Sequence, residues 1–297
     1  MSVSKHHSKS IAQPRIKLQP PLLMNGYVSI KQCRHGLFMY NLNDLFIGRA
    51  MDIYGEWCEA ELACLGQVLK SGDVVIDVGA NIGTHSVFFS KKVTPSGMVF
   101  AIEPQRITFE FLCANIALNG LLNVIPMQVG AGDRIGETII PVLDPSVAQN
   151  FGCLNIEGHS AGDLVKVLPL DALELKRCNL IKIDTEGMEL KVLLGAEKTI
   201  RNCRPFLFVE NNTQEGAPEM VQMLFEFGYN CWWHFSSYYD PDNFFQNKEN
   251  IWSNIHPESN MICAPREFNL NITGFEPVIN ATDTWMQALP RMNLTKT

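Results

Sequence analysis

From residue 74 onward the apolar positions fall into short blocks separated by stretches of helix length. Val74-Val75-Ile76-Asp77-Val78 is a β-branched run closed by glycine, and Met98-Val99-Phe100-Ala101-Ile102 is a second. Residues 123–129, Leu180-Ile181-Lys182-Ile183 and Phe206-Leu207-Phe208-Val209 continue the series. The stretches 84–92, 106–118, 188–201 and 219–227 read as helices. Apolar strands alternating with helices predict an α/β fold, a mostly parallel central sheet with helices on both faces. Right-handed crossovers then bring the C-terminal ends of the strands to one rim, where ligands bind.

Three regions depart from that rhythm. Thr138–Val142 and Leu164–Val167, separated by Gly, Asn, Asp and Ser, predict a small β insertion at about 136–168, either an antiparallel pair or an edge excursion. Met261-Ile262-Cys263-Ala264 predicts an antiparallel edge strand. Residues 26–70 predict a cap whose helix runs from Glu56 to Leu69. The expected organisation is a disordered tail at 1–25, the cap at 26–70, the main α/β domain at 71–265 and a C-terminal tail at 266–297.

Composition narrows the class. The 297 residues are 46% apolar and 19% charged, with 24 Lys and Arg against 31 Asp and Glu. A disordered or coiled-coil chain is excluded. A net charge of -7 argues against broad binding to nucleic acid or anionic membrane. No apolar stretch approaches the roughly 20 residues of a membrane span. Residues 1–25 carry Lys5, Lys9, Arg15 and Lys17 without an apolar block, which suits a solvated tail better than a secretory signal. Nine scattered cysteines with no C-x-x-C pair read as reduced thiols, and so as a cytoplasmic protein.

The strongest local signal is Asp77-Val78-Gly79-Ala80-Asn81-Ile82-Gly83-Thr84, a strand running through a glycine turn into a helix. Gly79 and Gly83 let backbone approach a ligand, and a helix N-terminus offers free N–H groups. Glu103, twenty residues after Gly83, ends the second strand, where a carboxylate accepts both hydroxyls of a ribose. A dinucleotide would want G-x-G-x-x-G under its diphosphate. This loop has two glycines, and Asp77 would repel a diphosphate and attract an ammonium. S-adenosyl-L-methionine, with a ribose, an adenine, an ammonium and a sulfonium, fits those charges. The alternatives are a turn that binds nothing, with Asp77 capping it, a nucleotide-dependent oxidoreductase, and a non-catalytic binding protein on the same sheet.

That loop, together with Glu103-Pro104-Gln105 and Lys182-Ile183-Asp184-Thr185-Glu186-Gly187-Met188-Glu189, resembles the signature of FkbM-type methyltransferases. Tyr54-Gly55-Glu56-Trp57-Cys58-Glu59 and Arg204–Asn211 are similar to the family as well, and the resemblance spans roughly 26–265. It implies a Rossmann-like (class I) methyltransferase fold, S-adenosyl-L-methionine as cosubstrate, and O-methylation of a hydroxyl on a sugar, glycan or polyketide-like natural product. The expected partner is therefore a small-molecule or glycan acceptor, with no nucleic acid.

Matched residue by residue, the family implies Asp77, Gly79, Asn81 and Gly83 around the methionine end and Glu103 on the ribose. Asp133 either meets the adenine amino group or forms a turn between glycines. Tyr54 and Glu56 either close over the ligand or begin the cap helix. Asp184 and Glu186 end the fourth strand on the acceptor rim. Glu186 is the first candidate for the base that takes the acceptor's proton and Asp184 the second, with His85 and Glu210 after them. The aromatic segment 232–252, with His234 and His256, either lines the acceptor pocket or packs in the core. Asp184, Glu186 and Glu210 have the oxygen ligands that suit Mg2+, but a cationic cosubstrate accounts for the same acids, and no metal is expected.

Overall fold

The computed structural model describes residues 19–294 apart from 156, 213, 214 and 271. The chain opens with an antiparallel meander of β1 (Leu23–Asn25), β2 (Val28–Cys33) and β3 (Gly36–Asn41), followed by α1 (Ile47–Ile53) and α2 (Glu59–Val68). It then alternates β4 (Val74–Val78), α3 (Thr84–Val93), β5 (Met98–Ile102), α4 (Arg106–Leu118) and β6 (Val124–Met127). A small sheet follows, with β7 (Gly130–Ala131), β8 (Gly136–Ile140) and β9 (Asp163–Leu168) in the order β7-β9-β8. The main sheet resumes with β10 (Leu180–Ile183), α5 (Glu189–Leu194), α6 (Glu197–Cys203), β11 (Phe206–Glu210) and α7 (Ala217–Glu226). The chain finishes with β12 (Tyr229–Ser236), β13 (Glu258–Pro265), β14 (Glu276–Pro277) and α8 (Trp285–Leu294).

The eight-stranded sheet has the order β14-β12-β13-β11-β10-β4-β5-β6. Strands β11 to β6 are parallel, and β12, β13 and β14 are antiparallel additions. Side chains alternate between faces along each strand. Ile76 and Val78 join a core with Val192, Ile200, Val221 and Leu224 of α5, α6 and α7. Val75, Val99 and Leu180 face the other way, onto Leu62, Phe89 and Leu112 of α2, α3 and α4. Both faces are thus covered by helices, and the mostly parallel α/β architecture follows from the strand–helix rhythm.

The cap has its own core of Phe38, Tyr40, Met51, Tyr54 and Trp252. It is fastened to α4 by two asparagines one helical turn apart. Asn115 accepts from the Met39 N–H (2.6 Å) and donates to its carbonyl (3.0 Å). Asn119 does the same at Leu37, at 3.1 and 2.7 Å. These amides satisfy the open edge of β3, which would otherwise leave unpaired backbone groups.

Several boundaries differ from the expectations. The helix expected at 188–201 breaks at Gly195, where a Cβ would lie 1.9 Å from the Gly132 carbonyl, so the chain kinks where it crosses the β insertion. The strand expected at 261–264 is β13, which is longer and lies inside the sheet, because β12 and β14 form outside it. β12 escapes a periodicity reading because its residues are buried on both faces and do not alternate. β1 lies within the segment read as tail, while residues 1–18 fall outside the described residues. The segment after 265 is stitched to the sheet: Arg291 donates to Asp283 and Glu276, and Asp283 accepts from the Trp233 indole at 3.2 Å. Among the described residues no helix is long and apolar enough to cross a membrane, and all nine cysteines are free thiols.

Candidate active site

A cavity of about 290 Å³ opens where β4, β5, β10 and β11 end, at the lower end of small-molecule pockets, about 300–1,000 Å³. Its first wall is the turn after β4. Gly79 has φ +77°, and a Cβ there would lie 1.8 Å from the Asp184 carbonyl. Asn81 has φ +50°, a left-handed conformation that asparagine tolerates better than most residues. The turn is tied to β5 by Glu103, whose carboxylate accepts the backbone N–H groups of Asn81 and Gln105, each at 2.9 Å. Burial pushes Glu103 up to about 7 despite these two bonds.

The opposite wall is the turn after β10. Lys182 is 2% exposed and pairs across the parallel ladder with Asp77, which is fully buried. Its ammonium donates to Asp184 at 2.9 Å and lies 3.9 Å from Asp77. The acids around it hold its pKa above the ordinary value against the effect of burial. Glu189 shapes the turn from below, accepting the backbone N–H groups of Thr185 (3.0 Å) and Gly187 (3.1 Å). Glu186, at φ +54°, then lines the cavity. Burial, reinforced by Asp184 and Glu258, pushes Glu186 up to about 8.

More acids close the ring. Glu210 ends β11 with one oxygen bonded to the Asn212 amide and the other unpartnered among the described residues. Glu258 begins β13, and since β13 runs antiparallel to β11, its first residue stands on the same rim. Burial raises Glu258 to about 8, and the Tyr238 hydroxyl donates to it at 2.8 Å. Glu61 of α2, raised by burial to about 7, shares a 3.0 Å hydrogen bond with His85, which burial lowers to about 3 and so keeps neutral. The cavity is a carboxylate-lined chamber with several acids poised near neutrality. It favours a ligand with hydroxyls and positive charge, and can take up a proton released inside it.

The sequence model described as the methyltransferase FkbM domain matches residues 77–231, which run from the first strand of this chamber through its acidic turns. The chain belongs to the FkbM methyltransferase family. It is an S-adenosylmethionine-dependent methyltransferase, and the oxidoreductase and non-catalytic alternatives fall away. A relative from Haloferax volcanii, the hexuronic acid methyltransferase AglP, is 30% identical over 184 residues, covering 61% of this chain and 72% of that one. Methyltransferase sdnD of Sordaria araneosa is 26% identical over 191 residues, covering 53% of this chain and 73% of its own. Among solved structures, methyltransferase FkbM from Methylobacillus flagellatus aligns with a TM-score of 0.43 at 21% identity. That alignment covers 65% of this chain and 43% of the solved one, so less than half of the solved chain is spanned.

Within this FkbM methyltransferase, Gly79, Asn81, Glu103, Asp184 and Glu186 all line the chamber, and His85 and Glu210 join them. Five other expected site residues do not line it. Asp77 lies beneath the turn, committed to Lys182 and to the Ser86 hydroxyl, which donates to it at 2.6 Å. Gly83 starts α3 at φ +88° and packs where a Cβ would touch Leu112. Asp133 is exposed and pairs with Arg134 at 3.6 Å. Tyr54 is buried in the cap, its hydroxyl donating to the Glu249 carbonyl (2.8 Å) and accepting from the Ile251 N–H (3.0 Å). Glu56 accepts from Arg34 and from the Phe244 N–H, both at 2.7 Å. Tyr54 and Glu56 therefore hold down the loop 237–257, which carries Tyr238 to the chamber wall.

Glu61, Glu258 and Trp57 also line the chamber without having been expected there, and Tyr238 lines it from the aromatic segment read as either pocket or core. Two of them left a trace in the sequence. Glu61 sits between Ala60 and Leu62 on the buried side of its helix, and Glu258 immediately precedes an apolar strand. In the aromatic segment, His234 packs between Phe208 and Phe275, and His256 lies against Trp285.

Proposed function

We propose that this enzyme binds S-adenosylmethionine along the Gly79–Asn81 turn and Glu103, and methylates a hydroxyl on a sugar, glycan or polyketide-like acceptor. The observation that carries the reading is Glu103, a buried carboxylate fixed at the end of β5 by two backbone N–H groups and open to the chamber. Its position suits a ribose diol. The residues present fit the donor, since the surrounding carboxylates favour a cation and would repel a diphosphate.

When bound, the donor supplies a methyl on a positively charged sulfur, and the C–S bond breaks, its electrons passing to sulfur, as the acceptor oxygen forms the new C–O bond. The chain's own work is placement and proton removal. Holding two reactants in line contributes about 7–11 kcal/mol. Trp57 and Tyr238 lie ring against ring on the chamber wall, 5.2 Å between centroids, and Glu186, held at about 8, takes the acceptor's proton once it is ionised. A positioned base of this kind adds about 10²–10⁴-fold. Asp184 is the second candidate, with one of its oxygens taken up by the Lys182 ammonium at 2.9 Å. The acceptor class is supported by the hexuronic acid methyltransferase among the relatives.

The test pairs calorimetry with S-adenosylhomocysteine and a labelled-methyl screen against glycan and natural-product fractions. Binding of the demethylated donor and label incorporated at a hydroxyl are expected. No heat on titration, or label found only on nitrogen, would overturn the reading.

A further inference from the structure

Three carboxylates converge at one end of the chamber. One ligand oxygen each from Asp184, Glu186 and Glu210 lies within 4.8 Å of the other two. An acidic cluster by itself is ordinary, but a separate observation marks this one. Glu210 is only 5% exposed, and its Oε2 has no hydrogen-bond partner among the described residues. A buried polar atom left in this way costs about 1–3 kcal/mol, more when charged. Lys182, the buried cation beside the cluster, is already engaged by Asp77 and Asp184.

We propose that Asp184, Glu186 and Glu210 hold a divalent metal ion of the Mg2+ or Mn2+ class, which receives the acceptor's oxygen. This departs from the expectation of no metal. A donor set of oxygens alone selects hard ions. Two ligands on opposite sides of a Mg2+ ion span about 4.2 Å and two adjacent ones about 3 Å, so the three oxygens have to draw in around the ion as it binds. Three protein ligands leave about three octahedral positions for water or substrate.

The reaction also calls for such an ion. As an acceptor hydroxyl loses its proton, negative charge grows beside three carboxylates, which oppose it. A divalent ion reverses the local field and acidifies an oxygen bound to it. Each carboxylate binding through one oxygen keeps a second, and that of Glu186 remains to take the proton. An acceptor with two neighbouring oxygens, a vicinal diol or a hydroxy acid, fills two of the open positions. The ion's role in catalysis rests on the methyl-transfer reading, whereas its binding does not.

The experiment uses the whole protein, stripped with EDTA, with no adenosyl ligand present. Mn2+ is titrated in and the free ion is read by electron paramagnetic resonance. One bound Mn2+ per chain, displaced by Mg2+, is expected. Glu210→Gln and Glu186→Gln should each weaken binding by about 10–100-fold or more, while Asp133→Asn, on the exposed surface, leaves it unchanged. Glu186 is only half-buried, so its variant decides the matter if Glu210→Gln fails to fold. Absence of bound Mn2+ at about 1 mM, the weak end for carboxylate sites, overturns the proposal, as does binding by both variants as tight as that of the unsubstituted protein. Calorimetry with S-adenosylhomocysteine on the same stripped protein separates the two readings. Heat without Mn2+ binding removes the ion and keeps methyl transfer, and Mn2+ binding without heat does the reverse.

Discussion

The carbonyl oxygen of Asp184 occupies the place where residue 79 would carry its Cβ, 1.8 Å from the position that atom would take. The two turns that wall the active site, one after β4 and one after β10, are therefore pressed together at a glycine. The two walls of the chamber share that contact, and neither turn can shift without the other.

Gly79→Ala should destabilise the protein by at least about 2–3 kcal/mol, combining left-handed strain with overlap against backbone. Gly120 supplies the control, since it also has positive φ but meets nothing within 4 Å. Gly120→Ala should cost about 1–2 kcal/mol from strain alone. Urea unfolding of both variants measures the difference. Equal losses would mean that the close approach to Asp184 is relieved at no cost.

Donor affinity should depend on pH through Glu103. Its carboxyl is raised to about 7 in the ligand-free enzyme. Ribose hydroxyls donate to the ionised form, so binding favours the carboxylate and is weakened where the group is protonated. Affinity for S-adenosylhomocysteine should be full at pH 8 and about tenfold lower at pH 6, one unit below that value. Glu103→Gln should bind more weakly at pH 8 and lose the part of the pH dependence that Glu103 contributes. An unchanged profile in the variant would take Glu103 out of the donor site.

Lys182→Met should destabilise the fold by about 3–5 kcal/mol, because Asp77 is left as a buried charge without its cation. Adding Asp77→Asn should restore much of the loss. Chemical denaturation of the single and double variants tests the coupling, and additive losses would show that the two residues do not act as a pair.

Glu186→Gln should lower turnover by about 10²–10⁴-fold while leaving affinity for S-adenosylhomocysteine nearly unchanged. Turnover is measured with the acceptor that the labelled-methyl screen identifies. Undiminished turnover would assign the proton to another carboxylate.

The parts of this enzyme that were legible in its sequence are those built from neighbouring residues. The strand, glycine turn and helix around Gly79 and the Asp184–Glu189 turn are each closed by bonds a few positions apart, as where Glu189 takes the N–H groups of Thr185 and Gly187. That Asp77 sits beneath the turn was not legible, because its partner, Lys182, is more than a hundred residues away and meets it only across the sheet ladder. The choice between the two readings of Asp133 was not legible, because a glycine-flanked turn leaves the direction of a side chain open. Glu61 and Glu258 reach the rim only once α2 packs on the sheet and β13 runs antiparallel to β11, and no local pattern encodes either event. β12 was missed because a strand buried on both faces shows no alternation.

The loop over the chamber is tied to the beginning of the chain. Arg34 donates to the Asp242 carbonyl at 2.7 Å, Glu56 takes the Phe244 N–H, and Tyr54 clasps residues 249 and 251. These clasps join segments about two hundred positions apart, so during translation the cap must wait for residues 242–251 to emerge before the loop can seat. A ribosome-bound fragment ending near residue 231 would carry both turns of the chamber without Tyr238 or Glu258. Competence for chemistry thus arrives only after that loop has been made.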